Sequence, residues 1–393
     1  MIAPLSARLS EVLWFWLFVA PALALAVLSL SGERRRASYY MENLQNVPNA
    51  ARLPPATVIV PVKGPEEGLR ENLAALAGLD YPDYELIVAA RQASDIPEGV
   101  APERARIVLA GDTDQAAGEK IENLLAAVAA ARNGSEVFAF ADSDGRVSRG
   151  WLRALIAPLD RERVGASTGY RWYLPDPPDF WSLLRSVWNS VIAGQFGPGP
   201  CRFAWGGAMA IRKETFQRCR VPEFWRGSIS DDYSLSAAVR NGGLEVRFAP
   251  GALVASTDHT SAGEFSRWIQ RQMIITRVYY PRLWWTAFVS HVIYCGAMVV
   301  CVAAAFQGRL AGEYALVALL GLGMLKGANR ATLAKAALPE HSEWFKRYGW
   351  IHTWWVPLGA WVWLYSLVAS AFTDVIEWRG NRYRLSRGHV ERR

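Results

Sequence analysis

The stretch Phe138-Ala139-Phe140-Ala141-Asp142-Ser143-Asp144-Gly145 is a short apolar run that ends in two carboxylates and a glycine. Such a run predicts a buried strand of an α/β sheet, and ligand sites in these sheets gather at the carboxyl ends of strands. Paired carboxylates suit Mg²⁺ or Mn²⁺, which prefer oxygen ligands and leave positions for a substrate's phosphates. An ordinary Asp-Gly turn is the alternative interpretation. Asp142 and Asp144 therefore form a candidate metal site that depends on support from the rest of the chain.

The composition of the 393-residue chain is typical of a membrane-associated protein. Hydrophobic residues make up 51% of it, and its 18 Trp are concentrated towards the C-terminal half, as expected of aromatic side chains at a membrane interface. The net charge of +7 comes from clusters beside apolar segments, so no nucleic-acid partner is expected. The four cysteines lack the spacing of a zinc site, and two lie in an apolar segment, which favours reduced thiols.

Apolar segments long enough to cross a bilayer lie at about 12–30, 284–306 and 350–372. A shorter apolar segment, 314–325, is left open as a span, a re-entrant piece or an interfacial helix. Three arginines at 34–36 follow the first segment. This order disfavours a cleaved signal peptide and predicts that the chain after Arg34 faces the cytosol.

These boundaries divide the chain into five predicted parts. They are an N-terminal anchor (1–33), a linker (34–53), a globular domain (54–282), a C-terminal membrane region of two or three segments (283–375) and a basic tail (376–393). In the globular domain, β-branched runs alternate with segments of helical spacing. This alternation predicts βαβ units and a mostly parallel sheet, so the expected fold class is α/β.

Two segments of the globular domain have two interpretations each. Residues 178–197 carry an apolar stripe at helical spacing, which fits either a core-facing helix or a helix in the membrane interface. Gly206 and Gly207 lie in a predicted strand, where they either allow close approach of the backbone to a ligand or mark a bulge.

Asp231 and Asp232 begin a predicted helix. Acidic residues are ordinary at a helix N-terminus, where they cap free N–H groups. A carboxylate at such a position can also act as the general base for an attacking hydroxyl. We therefore treat both as candidate catalytic residues.

The order and spacing of these features, on an anchored chain, resemble the inverting, nucleotide-sugar-dependent glycosyltransferases of the GT-A fold. Within that group the chain looks most similar to the ceramide glucosyltransferase family and its bacterial relatives, including hopanoid-associated glycosyltransferases. The likeness covers nearly the whole chain, and its motifs lie at 60–64, 79–85, 120–124, 142–145, 206–209, 231–233 and 378–385.

The resemblance implies a role for each candidate residue. Asp144 would ligate the metal that bridges the donor's diphosphate, and Asp142 would support the metal and the nucleotide. Lys63 and Lys120 would lie near the nucleotide. Asp232, beside Asp231, would take the proton from the acceptor hydroxyl. A base on one side and charge neutralisation on the other are what displacement at an anomeric carbon requires.

The chain departs from the family pattern after the second predicted strand. The family usually places an aspartate there to hold uracil, whereas this chain has Arg91-Gln92, and the nearest acidic residue is Asp95.

A second departure precedes the C-terminal spans, where the family carries Gln-x-x-Arg-Trp. Here Gln272 is followed by Ile275-Thr276 in place of Arg-Trp. Arg271 or Arg277 is left to supply the missing charge. We therefore count Arg271 and Gln272 among the expected nucleotide-binding residues.

The activity implied by the resemblance is transfer of a hexose, with glucose favoured, from a UDP-sugar to the hydroxyl of a lipid such as ceramide. This activity belongs to glycolipid or sphingolipid metabolism and requires Mg²⁺ or Mn²⁺. The resemblance also implies an integral membrane protein, with a bacterial inner membrane favoured and the catalytic domain in the cytosol. Two alternatives stay open: a processive polysaccharide synthase, and a non-catalytic membrane scaffold that keeps the fold. The sequence indicates no particular protein partner.

Overall fold

The computed structural model describes residues 5–45, 53–112, 118–386 and 389–392. After a long first helix, α1 (Leu5–Gln45), the globular part is built on one large sheet. Its strands are β1 (Ala56–Pro61), β2 (Tyr84–Ala90), β3 (Ala105–Leu109), β4 (Val137–Ala141), β5 (Val164–Thr168), β7 (Ala208–Arg212) and β8 (Glu245–Phe248), while β6 (Arg171–Tyr173) and β9 (Val254–Ser256) pair separately.

The large sheet has the order β3-β2-β1-β4-β7-β5-β8 and is mostly parallel. Strand β1 runs parallel to both β2 and β4, whereas β7 runs antiparallel to β4 and β5. The predicted α/β fold class is therefore confirmed. Because β1 and β4 are neighbours, Lys63 and Asp142 emerge at the same edge of the sheet.

Helices cover both faces of the sheet. They are α2 (Leu69–Ala77), α3 (Glu119–Ala130), α4 (Trp151–Ile156), α5 (Phe180–Ala193), α6 (Lys213–Arg218), α7 (Val221–Trp225) and α8 (Asp231–Asn241). Alternate residues of β1 face opposite sides: Val58 packs with Leu73 of α2, and Ile59 packs with Leu124 of α3. This period of two follows from the pleat of a strand.

The C-terminal region is helical and includes most of the apolar segments. Its helices are α9 (Ala262–Tyr279), α10 (Pro281–Phe306), α11 (Leu310–Ala337), α12 (Ser342–Tyr348), α13 (Ile351–Trp354) and α14 (Val356–Ser370). Within the described residues, three helical stretches are long and apolar enough to cross a membrane: 14–45, 281–306 and 310–337. They pack together through small and aliphatic residues such as Ala22, Ala297 and Leu319, as is common between membrane helices.

Two expectations about the spans change. The short segment 314–325 lies inside α11, a helix long enough to span. The segment 350–372 is divided at Trp355, and Pro357 lies in the first turn of the helix that follows. The 15 residues of α14 extend only about 22 Å at 1.5 Å per residue, less than the ~30 Å of a hydrocarbon core.

The expected linker at 34–53 is also corrected over the part that the structure describes. Residues 34–45 continue helix α1 and dock on the globular part. The Tyr39 hydroxyl donates to the Phe248 carbonyl oxygen over 2.6 Å, and Arg36 Nε donates to the Phe196 carbonyl oxygen over 2.8 Å. Tyr39 and Arg36, one of the three arginines after the first apolar segment, thus attach the anchor to the globular part.

Helix α5 corresponds to the apolar stripe at 178–197. Trp188 is fully buried and stacks on Trp363 of α14 with ring centroids 4.3 Å apart. Only its first aromatic residues, Phe180 and Trp181, are exposed. The core-facing interpretation therefore holds for the body of this helix.

The expected basic tail is a folded sheet over its described residues. Strands β10 (Val375–Trp378), β11 (Asn381–Ser386) and β12 (His389–Arg392) are antiparallel. Tyr383 and Leu385 pack towards Ile274 of α9, and the intervening Arg382 and Arg384 face solvent. The alternation of apolar and basic residues is the two-residue period of a half-buried strand.

Gly169, which follows β5, provides a test of this packing. A Cβ added there would overlap the carbonyl oxygen of Ala252 and meet the Ala208 side chain at 2.9 Å. We expect Gly169→Ala to destabilise the fold by about 1–3 kcal/mol because backbone must move, lowering the thermal unfolding midpoint of the detergent-solubilised chain. Gly134→Ala is the control, since no atom lies within 4 Å of its added Cβ. Equal midpoints for the two variants would contradict this packing.

Candidate active site

A single pocket opens at the carboxyl ends of β1 and β4. Every site residue named from the sequence lines it: Lys63, Lys120, Asp142, Asp144, Asp231, Asp232, Arg271 and Gln272. The pocket is also lined by Glu119, Arg171 and residues of the C-terminal sheet, which the sequence did not single out for the site. The strand ends, four helices (α3, α5, α8 and α9) and the C-terminal sheet thus meet around one space.

Asp144 is held by a buried arginine. Arg171 of β6 makes a two-point contact with Asp144, with Nη1 donating to Oδ2 over 2.8 Å and Nη2 donating to Oδ1. The same Nη2 lies 3.2 Å from Asp142 Oδ2. Burial alone would raise the pKa of Asp144, but the Arg171 guanidinium outweighs it and holds that pKa below its ordinary value. Asp144 therefore stays ionised.

Arg171 is not among the site residues expected from the sequence, although the sequence contains one signal for it. The residue is a charged side chain within the otherwise apolar stretch Tyr170 to Tyr173. A charged residue in a buried strand is rare unless it is paired. Its partner could not be named from sequence alone because Asp144 lies 27 positions away.

Lys120 connects the end of β4 with the start of α8. Its Nζ lies 2.8 Å from Asp142 Oδ1 and 3.0 Å from Asp231 Oδ2. Burial disfavours the ammonium form, but the two carboxylates outweigh this and raise the pKa of Lys120 above its ordinary value. The lysine is thus a permanent positive charge at the centre of the pocket.

Asp231 and Asp232 have different surroundings at the start of α8. Asp231 is buried against Lys120, whereas Asp232 is partly exposed in the pocket and accepts hydrogen bonds from the backbone N–H groups of Gly206 (3.3 Å) and Tyr233 (2.7 Å). Burial raises the pKa of both carboxyls, that of Asp231 to about 6. Asp232 is therefore the carboxylate that is both accessible and basic.

The paired glycines allow these carboxylates to approach the backbone. A Cβ on Gly206 would lie 2.6 Å from Asp231 Oδ2, and one on Gly207 would lie 2.7 Å from Asp142 Oδ2. Both distances are too short for a side chain. Both glycines lie in the turn before β7 and not in the strand itself, and close approach of the protein's own carboxylates explains why glycine occupies both positions.

Of the two arginines considered for the missing charge, Arg271 lines the pocket. Its guanidinium lies 5.6 Å from the centre of the Trp378 ring, and burial lowers its pKa to about 10. Arg277 instead pairs with Asp374 at 2.6 Å and donates to the Thr373 carbonyl oxygen. Gln272 also lines the pocket, on the same helix.

One part of the pocket wall is aromatic and apolar. It is formed by Tyr170, Ile192, Phe203, Trp268 and Met273. These residues belong largely to α5 and α9, which pack on α14, and α9 also packs on the long apolar helix α10. The pocket therefore joins a polar, cationic side to an apolar side that adjoins the membrane helices.

The carboxylates suit a divalent metal that is completed by a ligand. Among the described residues no group of three or more His, Cys, Asp or Glu forms a metal cage. Mg²⁺ in phosphate sites is commonly held by one or two carboxylates and substrate phosphates, and Asp142 and Asp144 supply that set. A carboxylate has about four lone-pair positions, so the contacts with Arg171 do not use up all of them.

The family model of glycosyl transferase family 21 matches residues 14–390. The chain belongs to this family. This is the ceramide glucosyltransferase family, so the protein is a membrane-associated glycosyltransferase with a GT-A-like fold. None of the curated proteins is a match to its sequence.

Solved glycosyltransferases show distant structural likeness. The mannosyltransferase PcManGT from Pyrobaculum calidifontis, in complex with GDP-Man and Mn²⁺, is 16% identical with a TM-score of 0.43, over 89% of this chain and 99% of that one. GalNAc-T7 with UDP, GalNAc and Mn²⁺ is 12% identical with a TM-score of 0.40, over 58% of this chain and 48% of that one. Similarity at this level assigns neither donor nor metal to this glycosyltransferase.

The central position of Lys120 predicts a pH-dependent defect in Lys120→Met. The substitution leaves the buried Asp231 and the half-buried Asp142 without their shared cation, and breaking a buried pair such as that of Asp231 costs about 3–5 kcal/mol. The pKa of Asp231, already raised to about 6, rises further. A carboxyl whose pKa is raised in the folded state destabilises the fold when it is ionised, and this penalty disappears as it is protonated. The loss in thermal stability should therefore be largest at neutral to alkaline pH and should shrink as the pH falls through the raised Asp231 pKa of the variant towards the wild-type value of about 6.

Lys346→Met is the matched control for this measurement. Lys346 is exposed and pairs with Glu343 along one helix, an interaction worth about 0–1 kcal/mol. If Lys120→Met lost no more thermal stability than Lys346→Met at any pH, the buried network would not be what holds the site together.

Proposed function

We propose that this glycosyltransferase transfers a hexose, with glucose favoured, from a UDP-sugar to the hydroxyl of a membrane lipid such as ceramide. One observation carries the proposal: a single pocket contains an accessible carboxylate, a cluster of cations and carboxylates, and an apolar wall beside helices that adjoin the membrane region. The three features correspond to the base, the diphosphate site and the acceptor site of such a transfer.

Asp232 is our proposed general base. Its backbone hydrogen bonds to Gly206 and Tyr233 hold the carboxylate in place, and its raised pKa makes it a better proton acceptor than an ordinary aspartate. Asp231 is engaged by Lys120. Among the residues that the structure describes, no second carboxylate without a cationic partner lies beside Asp232 to act as nucleophile, which fits one displacement with inversion at the anomeric carbon.

The leaving diphosphate would lie against Lys120, Arg171 and the carboxylate pair. The two cations are buried and fixed by their partners, so they would stabilise developing charge without reorganising. Mg²⁺ or Mn²⁺, held by Asp144 and Asp142 together with the diphosphate, would neutralise further charge on the leaving group. Lys63 and Arg271 would add positive charge at the two ends of this cluster.

The acceptor is proposed to be a lipid because the apolar wall is formed by helices that pack on the membrane region. Tyr170 and Trp268 present large aromatic surface to the pocket, and exposed aromatic residues such as Trp181 and Trp354 lie on neighbouring helices. The arginines at 34–36 after the first apolar segment favour a cytosolic catalytic domain. We propose an integral protein of a bacterial inner membrane.

The two alternatives have less support. Three membrane-crossing helices among the described residues are few for a channel that would translocate a growing polysaccharide. A scaffold without activity would have no use for the buried charges of Lys120, Arg171 and Asp231, whose desolvation is costly.

The proposal predicts the outcome of a transfer experiment. Membranes that contain the full chain should move label from one member of a UDP-sugar panel into a lipid, with product configuration opposite to that of the donor. Asp232→Asn should reduce the rate by about 10²–10⁴-fold while UDP binding is retained. The wild-type rate should rise with pH through a pKa above the ordinary 3.8 of aspartate, because the base must be ionised.

Asp160→Asn is the control for that substitution, since Asp160 forms an exposed ion pair with Arg212. Wild-type transfer by Asp232→Asn would exclude this residue as the base. Folded wild-type protein that labels no lipid from any UDP-sugar would contradict the proposed activity.

Metal binding can be tested without turnover. With Mn²⁺ present, UDP at about 100 times its Kd should add about 2.7 kcal/mol of stability, seen as a higher unfolding midpoint. Asp144→Asn should abolish the part of this shift that depends on Mn²⁺, because it removes the charge that the metal would neutralise. Asp83→Asn, at an exposed ion pair with Arg132, should keep it. A Mn²⁺-dependent shift that survives in Asp144→Asn would place the metal elsewhere.

A further inference from the structure

Glu119 is a buried carboxylate that the base, metal and diphosphate roles leave unexplained. It is the first residue of α3, is 8% exposed and lines the pocket. The other acidic residues of the pocket wall are Asp142, Asp144, Asp231 and Asp232. Asp142, Asp144 and Asp231 contact Lys120 or Arg171, and Asp232 is held at the start of α8, whereas Glu119 contacts neither cation.

Hydrogen-bond donors surround Glu119 on one side. Lys63 Nζ lies 2.6 Å from its Oε2, Asn381 Nδ2 donates to the same oxygen over 3.1 Å, and Arg91 Nη1 lies 4.0 Å from it. These contacts all reach Oε2. Within the described part of the chain, Oε1 accepts no hydrogen bond, so one oxygen of a buried carboxylate is left for a ligand in the pocket.

The position of Glu119 in the sheet order places it at one end of the pocket. Lys63 follows β1 and Arg91 follows β2, whereas Asp142 follows β4 on the other side of β1. Glu119 and Lys120 are adjacent residues, whose Cα atoms are about 3.8 Å apart, but their side chains contact different groups. The Glu119 side chain contacts residues that follow β1 and β2, whereas the Lys120 side chain contacts Asp142 and Asp231. The start of α3 therefore separates the carboxylate–cation cluster from a second polar subsite.

The two ends of the pocket match the two ends of a nucleoside diphosphate, which has a base at one end and phosphates at the other. If its diphosphate lies at Lys120 and Arg171, its base extends to the side of Lys63, Arg91 and Glu119. This step rests on the proposed function. The C-terminal sheet covers that side, because Arg379 donates to the Lys63 carbonyl oxygen over 3.1 Å and Asn381 reaches Glu119.

We propose that Glu119 selects the base of the donor nucleotide by accepting a hydrogen bond from N3–H of uracil. Uracil presents an N–H between two carbonyl oxygens, and a carboxylate flanked by cationic donors is complementary to that edge. Cytosine presents a bare nitrogen acceptor at the same position. That acceptor would face the carboxylate oxygen with no hydrogen atom between them, so the subsite favours uridine over cytidine nucleotides.

The test compares ligands that differ at one atom. Binding of UDP, N3-methyl-UDP, CDP and GDP is measured by calorimetry on the detergent-solubilised full chain with Mn²⁺. Wild type should bind UDP about 10–100-fold more tightly than N3-methyl-UDP, the range expected for one hydrogen bond to a charged group. In Glu119→Ala this ratio should fall to about one, because the acceptor is absent.

Glu122→Ala is the matched control. It removes the same charge from the same helix, but Glu122 lies outside the pocket wall, so the ratio should stay at its wild-type value. If Glu119→Ala does not fold, Glu119→Gln replaces it. Its neutral oxygen accepts a weaker hydrogen bond, and the ratio should fall without reaching one.

Three outcomes would overturn the proposal. The ratio of the affinities for UDP and N3-methyl-UDP could keep its wild-type value in Glu119→Ala. Binding of both ligands would then weaken equally, which would mean that Glu119 only positions Lys63. Tightest binding of GDP, lost in Glu119→Ala, means that the subsite takes guanine instead of uracil. No binding of UDP by wild type removes the UDP-sugar donor itself, which distinguishes failure of the proposed function from failure of the Glu119 assignment alone.

Discussion

The buried ion pairs of Lys120 and Arg171 are the interactions on which the site depends. Lys120 ties the end of β4 to the start of α8, and Arg171 of β6 holds Asp144 and Asp142. Burying any one of these charges alone would cost several kcal/mol, and only their mutual pairing makes the cluster tolerable. The positions of α3, β4, β6 and α8 are therefore coupled through charge as well as through apolar packing.

The same pairing prepares the proposed chemistry. Cations that are already desolvated and fixed interact strongly with an incoming diphosphate and need little reorganisation. Asp232 is held separately, by the backbone N–H groups of Gly206 and Tyr233, and its raised pKa comes from burial and not from the cations. The architecture thus separates the proton-accepting side of the pocket from the phosphate side while keeping both in one space.

The ends of the chain attach this site to the membrane region and close it. Helix α1 docks on the sheet through Tyr39 and Arg36, and the C-terminal strands place Arg379 and Asn381 over the first strand and Glu119. Helices α5 and α9 provide the apolar wall and pack on α14. Membrane anchoring and pocket formation are consequently one arrangement, which suits a substrate that stays in the bilayer.

The α/β sheet, the strand that leads into Asp142 and the helix that begins at Asp231 can be predicted from the amino-acid sequence, because local apolar periods and capping chemistry are encoded within a few residues. The partners of Arg171 and Glu119, the choice of Arg271 over Arg277, the break at Trp355 and the folding of the tail depend on long-range packing. Glu119 and Asn381 are 262 positions apart, and Arg171 meets Asp144 across separate strands. Such contacts arise from how elements pack, and no local pattern records them.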